Sequence, residues 1–95
     1  MKPTCFYQPD GEADCFRATA WTWGPWSFEH QHGGPPAALL ARAVEKARSE
    51  PAFAVVRFTV EFLRPVPIGP VRVGVESLKR GCTVECHTAR LWSGK

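Results

Sequence analysis

A chain of 95 residues has room for one domain and one modest hydrophobic core. Its apolar fraction of 44% is ordinary for a globular protein, and no run approaches the roughly 20 apolar residues of a membrane-spanning helix. The net charge of +3 and the pI of about 8.9 come from scattered Lys and Arg, without the basic stripe and interleaved aromatic residues of a nucleic-acid-binding domain. We therefore expect neither nucleic acid nor a membrane as partner. The lack of an apolar signal core at the N-terminus predicts a cytoplasmic protein.

The first part of the chain predicts a turn, a strand and an aromatic cluster. Residues 9–11 (Pro-Asp-Gly) are a turn signal, and a short strand is expected before them. Apolar and polar residues alternate over residues 15–23, which predicts a strand that ends at Gly24-Pro25. The nearby tryptophans form either a hydrophobic plug beneath the helix that follows or one wall of an apolar ligand pocket. They are Trp21, Trp23 and Trp26.

Residues 35–48 give the one strong helix pattern of the sequence. Gly33 and Gly34 lead into it, and Pro35 and Pro36 suit its first turn because only the helix interior rejects proline. A period of 3.6 residues places an apolar stripe on the face that should contact the core. The residues of this predicted face are Ala37, Leu40, Ala41 and Val44.

Residues 53–63 give the clearest strand pattern. β-Branched and aromatic residues alternate here with polar ones, which indicates one buried face and one wet or paired face. The prolines of residues 65–70 predict a stiff connection that cannot be a central strand.

Two further strands are predicted, over residues 71–79 and 82–92, with a glycine-ending hairpin loop at residues 79–81. The predicted order is therefore strand, helix and a meander of three strands. One helix against one antiparallel sheet is an α+β architecture.

Four cysteines lie in two distant pairs, and free thiols in a reducing compartment are the expected state. A disulfide or metal role is the alternative, and three histidines are available to join it. The spacing matches no standard zinc pattern, so no metal is expected. Cys82 and Cys86 are expected to share one face of a strand. The residues concerned are Cys5, Cys15, Cys82, Cys86, His30, His32 and His87.

Residues 31–40 (QHGGPPAALL) and 58–69 (FTVEFLRPVPIG), continued by residues 76–81 (ESLKRG), resemble the thioesterase-like hotdog superfamily. The pattern is most similar to the N-terminal hotdog of type II (double-hotdog) acyl-CoA thioesterases, and the resemblance covers about residues 21–95. It implies one long helix wrapped by a curved antiparallel sheet, an acyl-CoA substrate, water as second substrate and no cofactor. Residues 1–95 would form one such domain, an incomplete single hotdog.

The sequence departs from this family in two respects. Many single-hotdog thioesterases carry an acidic residue nine positions beyond the histidine of the His-Gly-Gly motif, where this chain has Ala41. In the double-hotdog enzymes the catalytic carboxylate lies in the C-terminal hotdog, and this chain stops where the first hotdog would add a strand. We therefore expect the N-terminal half of a longer enzyme.

Thioester hydrolysis requires hydrogen-bond donors for an oxyanion and a group that activates water. The leading amides of the helix provide the donors, namely Gly33, Gly34 and Ala37, because prolines have no N–H. His32 is the candidate for water activation, although a structural histidine is an equal alternative. Trp23, Trp26 and Phe58 are expected to form an aromatic wall. We find no Ser-His-Asp set and no Cys-His signature in the sequence.

Two functional classes remain open at this stage. The first is an acyl-CoA thioesterase of fatty acid metabolism, in which this chain binds acyl-CoA with little or no hydrolysis by itself. The second is a non-catalytic, degenerate hotdog that serves as an acyl-binding or oligomerisation module. In both, an unpaired sheet edge predicts a homo-oligomer or pairing with a second hotdog.

Overall fold

The computed structural model describes residues 5–25 and 27–94. Four strands form one antiparallel sheet in the order β1-β2-β5-β6, while β3 and β4 form a separate antiparallel pair. The helix α1 packs across β5 and β6, so the predicted α+β architecture is confirmed. In chain order the elements are β1 (Tyr7–Asp10), β2 (Glu12–Ala18), a 3₁₀ helix (Ala20–Thr22), β3 (Trp23–Gly24), β4 (Ser27–Gln31), α1 (Gly34–Ala47), β5 (Pro70–Arg80) and β6 (Glu85–Ser93).

The N-terminal hairpin forms as the turn signal predicts. Gly11 links β1 to β2 with φ of +85°, a backbone conformation that glycine adopts without strain. The prediction of one strand over residues 15–23 is wrong beyond Ala18. Thr19 ends the strand because its hydroxyl accepts a hydrogen bond from the Trp21 amide at 3.3 Å and caps the 3₁₀ helix.

The helix α1 begins at Gly34, and Pro35 and Pro36 occupy its first turn. Leu39 of α1 is buried, at 6% exposure, and the predicted face omitted it. That face, represented by Leu40 and Val44, is only half-buried, so the stripe is rotated by about one residue. The reason is that Leu39 clusters with the valines of β5. Within residues 5–25 and 27–94, no helix combines the length and apolar character that crossing a bilayer requires.

The core lies between α1 and the centre of the sheet. Val71 and Val73 of β5 are 2% and 4% exposed, and they cluster with Leu39. Partly buried side chains surround this cluster. They are Tyr7, Phe16, Leu40, Ala43, Val66 and Leu91.

The prediction of a strand over residues 53–63 is wrong for this structure, and with it the three-stranded meander. The segment has no ladder partner among the described strands. Its apolar side chains are accordingly exposed: Val56 is 95% exposed, Leu63 89% and Phe62 51%. An alternating pattern identifies which side chains favour burial, but a strand also requires a hydrogen-bonding neighbour.

The β5–β6 hairpin differs from the prediction in its loop and register. β5 continues to Arg80, and the loop comprises residues 81–84, in which the Gly81 amide donates to the Val84 carbonyl at 2.9 Å. Ser77 lies opposite His87, and a bulge between Ser77 and Lys79 leaves Leu78 without a counterpart on β6. The bulge and the longer strand together displace the loop from its predicted position.

The cysteines follow from this register. Cys82 lies in the loop and Cys86 in β6, so the expectation that they share a strand face is wrong. No disulfide joins the four cysteines, all of which lie in the described residues.

Candidate functional site

The two glycines before α1 allow two side chains to approach the start of the helix closely. A Cβ at Gly34 would lie 3.2 Å from His32 Cε1, and a Cβ at Gly33 would lie 3.3 Å from Phe62 Cζ. On its other side, His32 packs against Gly24, where a Cβ would lie only 2.8 Å from His32 Cβ. Glycines at these positions therefore seat the imidazole and the Phe62 ring against the helix N-terminus.

The backbone donors at this N-terminus are fewer than the sequence predicts. The Ala37 amide donates to the Gly33 carbonyl at 3.2 Å, so it is already engaged. Pro35 and Pro36 have no N–H, which leaves Gly33 and Gly34 as the donors with no acceptor inside the helix. Both glycines are exposed. Their amides carry the partial positive charge of the helix dipole and can stabilise an anionic oxygen.

Gln31 fixes the approach to this site. It is 6% exposed, it accepts a hydrogen bond from the Tyr7 hydroxyl, and its Nε2 donates to the Pro67 carbonyl at 2.9 Å. Burial raises the pKa of Tyr7, which keeps the phenol a neutral donor. The next residue, His32, donates its amide to the Thr22 carbonyl at 2.8 Å. Gln31 stands directly before His32 in the motif, but no pattern in the sequence predicts its role.

The predicted aromatic wall is distributed over separate parts of the structure. Trp23 of β3 meets Phe28 of β4 edge to face, with ring centroids 4.6 Å apart, and remains 49% exposed. Phe58 lies in the unpaired segment and is 42% exposed, while Trp26 lies outside the described residues. The aromatic ring that the structure places against the glycines is Phe62.

His32 and the helix position Ala41 are both half-buried. Among the described residues, no carboxylate forms an ion pair with His32. Within the same residues, no three His, Cys, Asp or Glu side chains are grouped so that they could hold a metal ion. The chemistry available at the site therefore consists of amide donors, one imidazole and an aromatic ring.

A family model described as the acyl-CoA thioesterase N-terminal domain matches residues 19–95. This match contains the start of α1 and extends through the β5–β6 hairpin. The chain belongs to this acyl-CoA thioesterase N-terminal domain family. The resemblance to the thioesterase-like hotdog superfamily is thereby confirmed, and the helix packed on an antiparallel sheet is consistent with a partial hotdog fold. No curated protein and no solved structure shows a significant match.

A cavity of about 260 Å³ lies between α1 and the sheet, and neither Gly33 nor Gly34 lines it. Phe16, Leu39, Val73 and Val75 give it apolar walls. Arg42, whose guanidinium carbon lies 5.9 Å from the centre of the Phe16 ring, adds a cation at its margin. None of the site residues predicted from the sequence lines this cavity.

Proposed function

We propose that this domain recognises acyl-CoA thioesters at the N-terminus of α1, with the thioester carbonyl directed at the amides of Gly33 and Gly34. The observation that carries the proposal is the exposed Gly33-Gly34 helix start, flanked by His32 and Phe62, in a chain of the acyl-CoA thioesterase N-terminal domain family. A helix N-terminus with two side-chain-free positions lets a carbonyl oxygen approach two backbone donors.

Hydrolysis by this chain alone is proposed to be weak or absent. His32 is the candidate for orienting water, but Ala41 stands where many hotdog thioesterases have a carboxylate. A missing general base lowers the rate by about 10²–10⁴-fold, whereas oxyanion donors retain part of the catalysis. The domain would thus bind acyl-CoA and leave most of the turnover to a second hotdog in a cytoplasmic enzyme of fatty acid metabolism.

The exposed segment of residues 53–63 favours a second candidate function, that of an oligomerisation or acyl-binding module without catalysis. Val56, Phe62 and Leu63 are each at least half exposed. Exposed apolar side chains on a segment that has no partner among the described strands favour pairing with another chain. The partner proposed is a second copy of this chain or another hotdog.

The test of acyl-CoA recognition is Gly34→Val, measured by calorimetric titration with a series of acyl-CoA compounds. Valine at this position would meet His32 Cε1 at 3.2 Å or less and obstruct the carbonyl, so we expect at least a tenfold loss of affinity. Ala38→Val is the matched control because it adds a β-branched side chain to the exposed side of the same helical turn.

The hydrolysis part of the proposal is tested on the same acyl-CoA series by thiol release. Ala41→Asp restores the carboxylate and is expected to raise turnover above that of the wild-type chain. Brisk hydrolysis by the wild-type chain that Gly34→Val leaves unchanged would place the site elsewhere and contradict the proposal.

A further inference from the structure

Three polar side chains meet at the loop end of the β5–β6 hairpin. Ser77 and His87 are cross-strand neighbours, and Ser77 Oγ lies 3.0 Å from His87 Nδ1. Glu85 lies two residues before His87 and therefore shares its face of the strand, with Oε1 3.1 Å from His87 Nε2. The side chains of Glu85 and His87 are 4% and 5% exposed, whereas Ser77 is exposed. The arrangement is a carboxylate, an imidazole and an accessible hydroxyl in one chain of contacts.

Residues beyond the end of α1 and at the end of β5 contact the Glu85 carboxylate. The Ser49 amide, just beyond α1, donates to Oε1 at 3.1 Å, and the Ser49 hydroxyl donates to Oε2. Arg80 Nη1 lies 3.7 Å from the same Oε2. The hydrogen bond from the Ser49 side chain is the main influence that lowers the pKa of Glu85, so the carboxylate stays ionised.

An ionised Glu85 determines which imidazole nitrogen carries the proton. The carboxylate accepts a hydrogen bond from Nε2–H of His87, which leaves the lone pair of Nδ1 directed at the Ser77 hydroxyl. The nitrogen beside Ser77 is thus the one able to take a proton. This is the relation among nucleophile, base and orienting group that nucleophilic catalysis requires.

The surroundings of Ser77 supply apolar space for an acyl group. Val75 lies two residues before Ser77 on the same face of β5 and lines the cavity beneath α1. An acyl group bound to Ser77 would therefore have apolar space beside it.

We propose that Ser77 is a nucleophile for acyl transfer from carboxylic esters and thioesters with apolar acyl groups. Ser77 Oγ attacks the carbonyl carbon while its proton passes to His87 Nδ1, and a tetrahedral oxyanion forms. The bond to the leaving oxygen or sulfur breaks, and that atom takes the proton from His87. Water then attacks the acyl-serine, gives a proton to His87, and releases the carboxylic acid as Ser77 regains its hydrogen. Glu85 is a positioning residue.

This activity is independent of the proposed recognition of acyl-CoA at the opposite end of α1. The sequence does not predict this site, because a hairpin loop at residues 79–81 would give a different register, in which Ser77 does not lie opposite His87. Failure of one proposal leaves the other standing, since they use different residues and different ends of the helix.

The test is covalent labelling of the full chain with a fluorophosphonate, followed by mass mapping of the modified residue. The probe forms a bond from Ser77 Oγ to phosphorus and releases fluoride, while the hydroxyl proton passes to His87. We expect labelling at Ser77, no label there in Ser77→Ala, and labelling slowed by about 10²-fold or more in His87→Ala. Imidazole added to His87→Ala should restore part of the rate, which a purely structural histidine would not allow.

Two further comparisons complete the test. Ser93→Ala is the matched control, because Ser93 is an exposed serine of the same hairpin and lies far along β6 from His87. Glu85→Gln should slow labelling and Glu85→Asp should recover part of it. The two rates are compared at a temperature well below the melting temperature of either variant. Labelling of Ser77 no faster than labelling of Ser93, or a rate that His87→Ala leaves unchanged, would overturn the proposal.

Discussion

β5 and residues 53–63 carry the same alternation of apolar and polar side chains, yet they lie in opposite environments. Val71 and Val73 of β5 are 2% and 4% exposed, whereas Val56 and Leu63 are 95% and 89% exposed. β5 has β2 on one side, β6 on the other and α1 above it, while the described strands offer residues 53–63 no neighbour. Alternation thus specifies which side chains favour burial, and the partners decide whether burial occurs.

The comparison is tested most directly by truncating one leucine that packs on β5 and one leucine within residues 53–63. Leu39→Ala removes a side chain buried against β5 and should lower the free energy of unfolding by about 2–5 kcal/mol. Leu63→Ala, its matched control, should change it by no more than about 0.5 kcal/mol because Leu63 is 89% exposed. Urea unfolding followed by tryptophan fluorescence measures both. Equal losses would mean that residues 53–63 are packed in solution.

Gln31→Leu tests what holds the connection between residues 53–63 and β5. Gln31 connects Tyr7 of β1 with Pro67 in the connection that joins residues 53–63 to β5. The substitution leaves a part-buried phenol and a carbonyl without their partner, so the free energy of unfolding should fall by about 1–3 kcal/mol. Tyr7→Phe in the Gln31→Leu background should recover part of this loss. A variant as stable as wild type would show that these bonds do not hold the connection.

We expect the exposed apolar side chains of residues 53–63 to favour association of the chain. A Val56→Ser, Leu63→Ser double variant should shift the protein toward monomer, since it removes two of the most exposed apolar side chains. Val84→Ser is the matched control, because Val84 is 58% exposed but lies in the β5–β6 loop. Light scattering at micromolar concentration measures the shift. A wild-type chain that is already monomeric would argue against association through this segment.

The smallest effect on stability is expected from Tyr7, a partly buried residue of β1, and only at alkaline pH. Burial raises the pKa of Tyr7, so the unfolded chain loses the phenolic proton at a lower pH than the folded chain does. Tyr7 therefore stabilises the fold fully below about pH 10, the reference value for tyrosine, and progressively less above it. Stability measured between pH 9 and 11 should fall more steeply in wild type than in Tyr7→Phe. The chain has one tyrosine, so no second phenol contributes to the ultraviolet titration.

Local signals in the sequence correctly predicted where the helix begins and where the N-terminal hairpin turns. The Gly-Gly-Pro-Pro run marked the start of α1 at Gly34, and the Pro-Asp-Gly run marked the turn at Gly11. Both depend on backbone preferences of the residues themselves, which is why no tertiary information was needed. The core strand β5 was also recognised, because its valines alternate.

Features that depend on pairing were not accessible in the same way. The bulge at Leu78 adds a residue to one strand only, and a pattern read along one strand contains no count of the other. The proximity of Ser77 to His87 follows from that register. Phe62 rather than Phe58 lies against Gly33. The sequence could not predict this, because alternation places the two rings on one face without indicating which of them reaches the helix. Gln31 has no periodic signature at all.

β4, the strand that leads to the helix start, is engaged along both of its edges. On one side it pairs with β3, and on the other the Gln31 amide donates to the Val66 carbonyl at 2.7 Å while the Ile68 amide donates to the Glu29 carbonyl at 2.8 Å. Amide protons exchange with solvent only when such bonds open, and neighbouring bonds open together. The amides of Gln31 and Ile68 should therefore show one common free energy of opening in hydrogen–deuterium exchange. The approach to Gly33-Gly34 and the entry to β5 then form a single unit of local unfolding, although 36 positions of sequence separate Gln31 from Pro67.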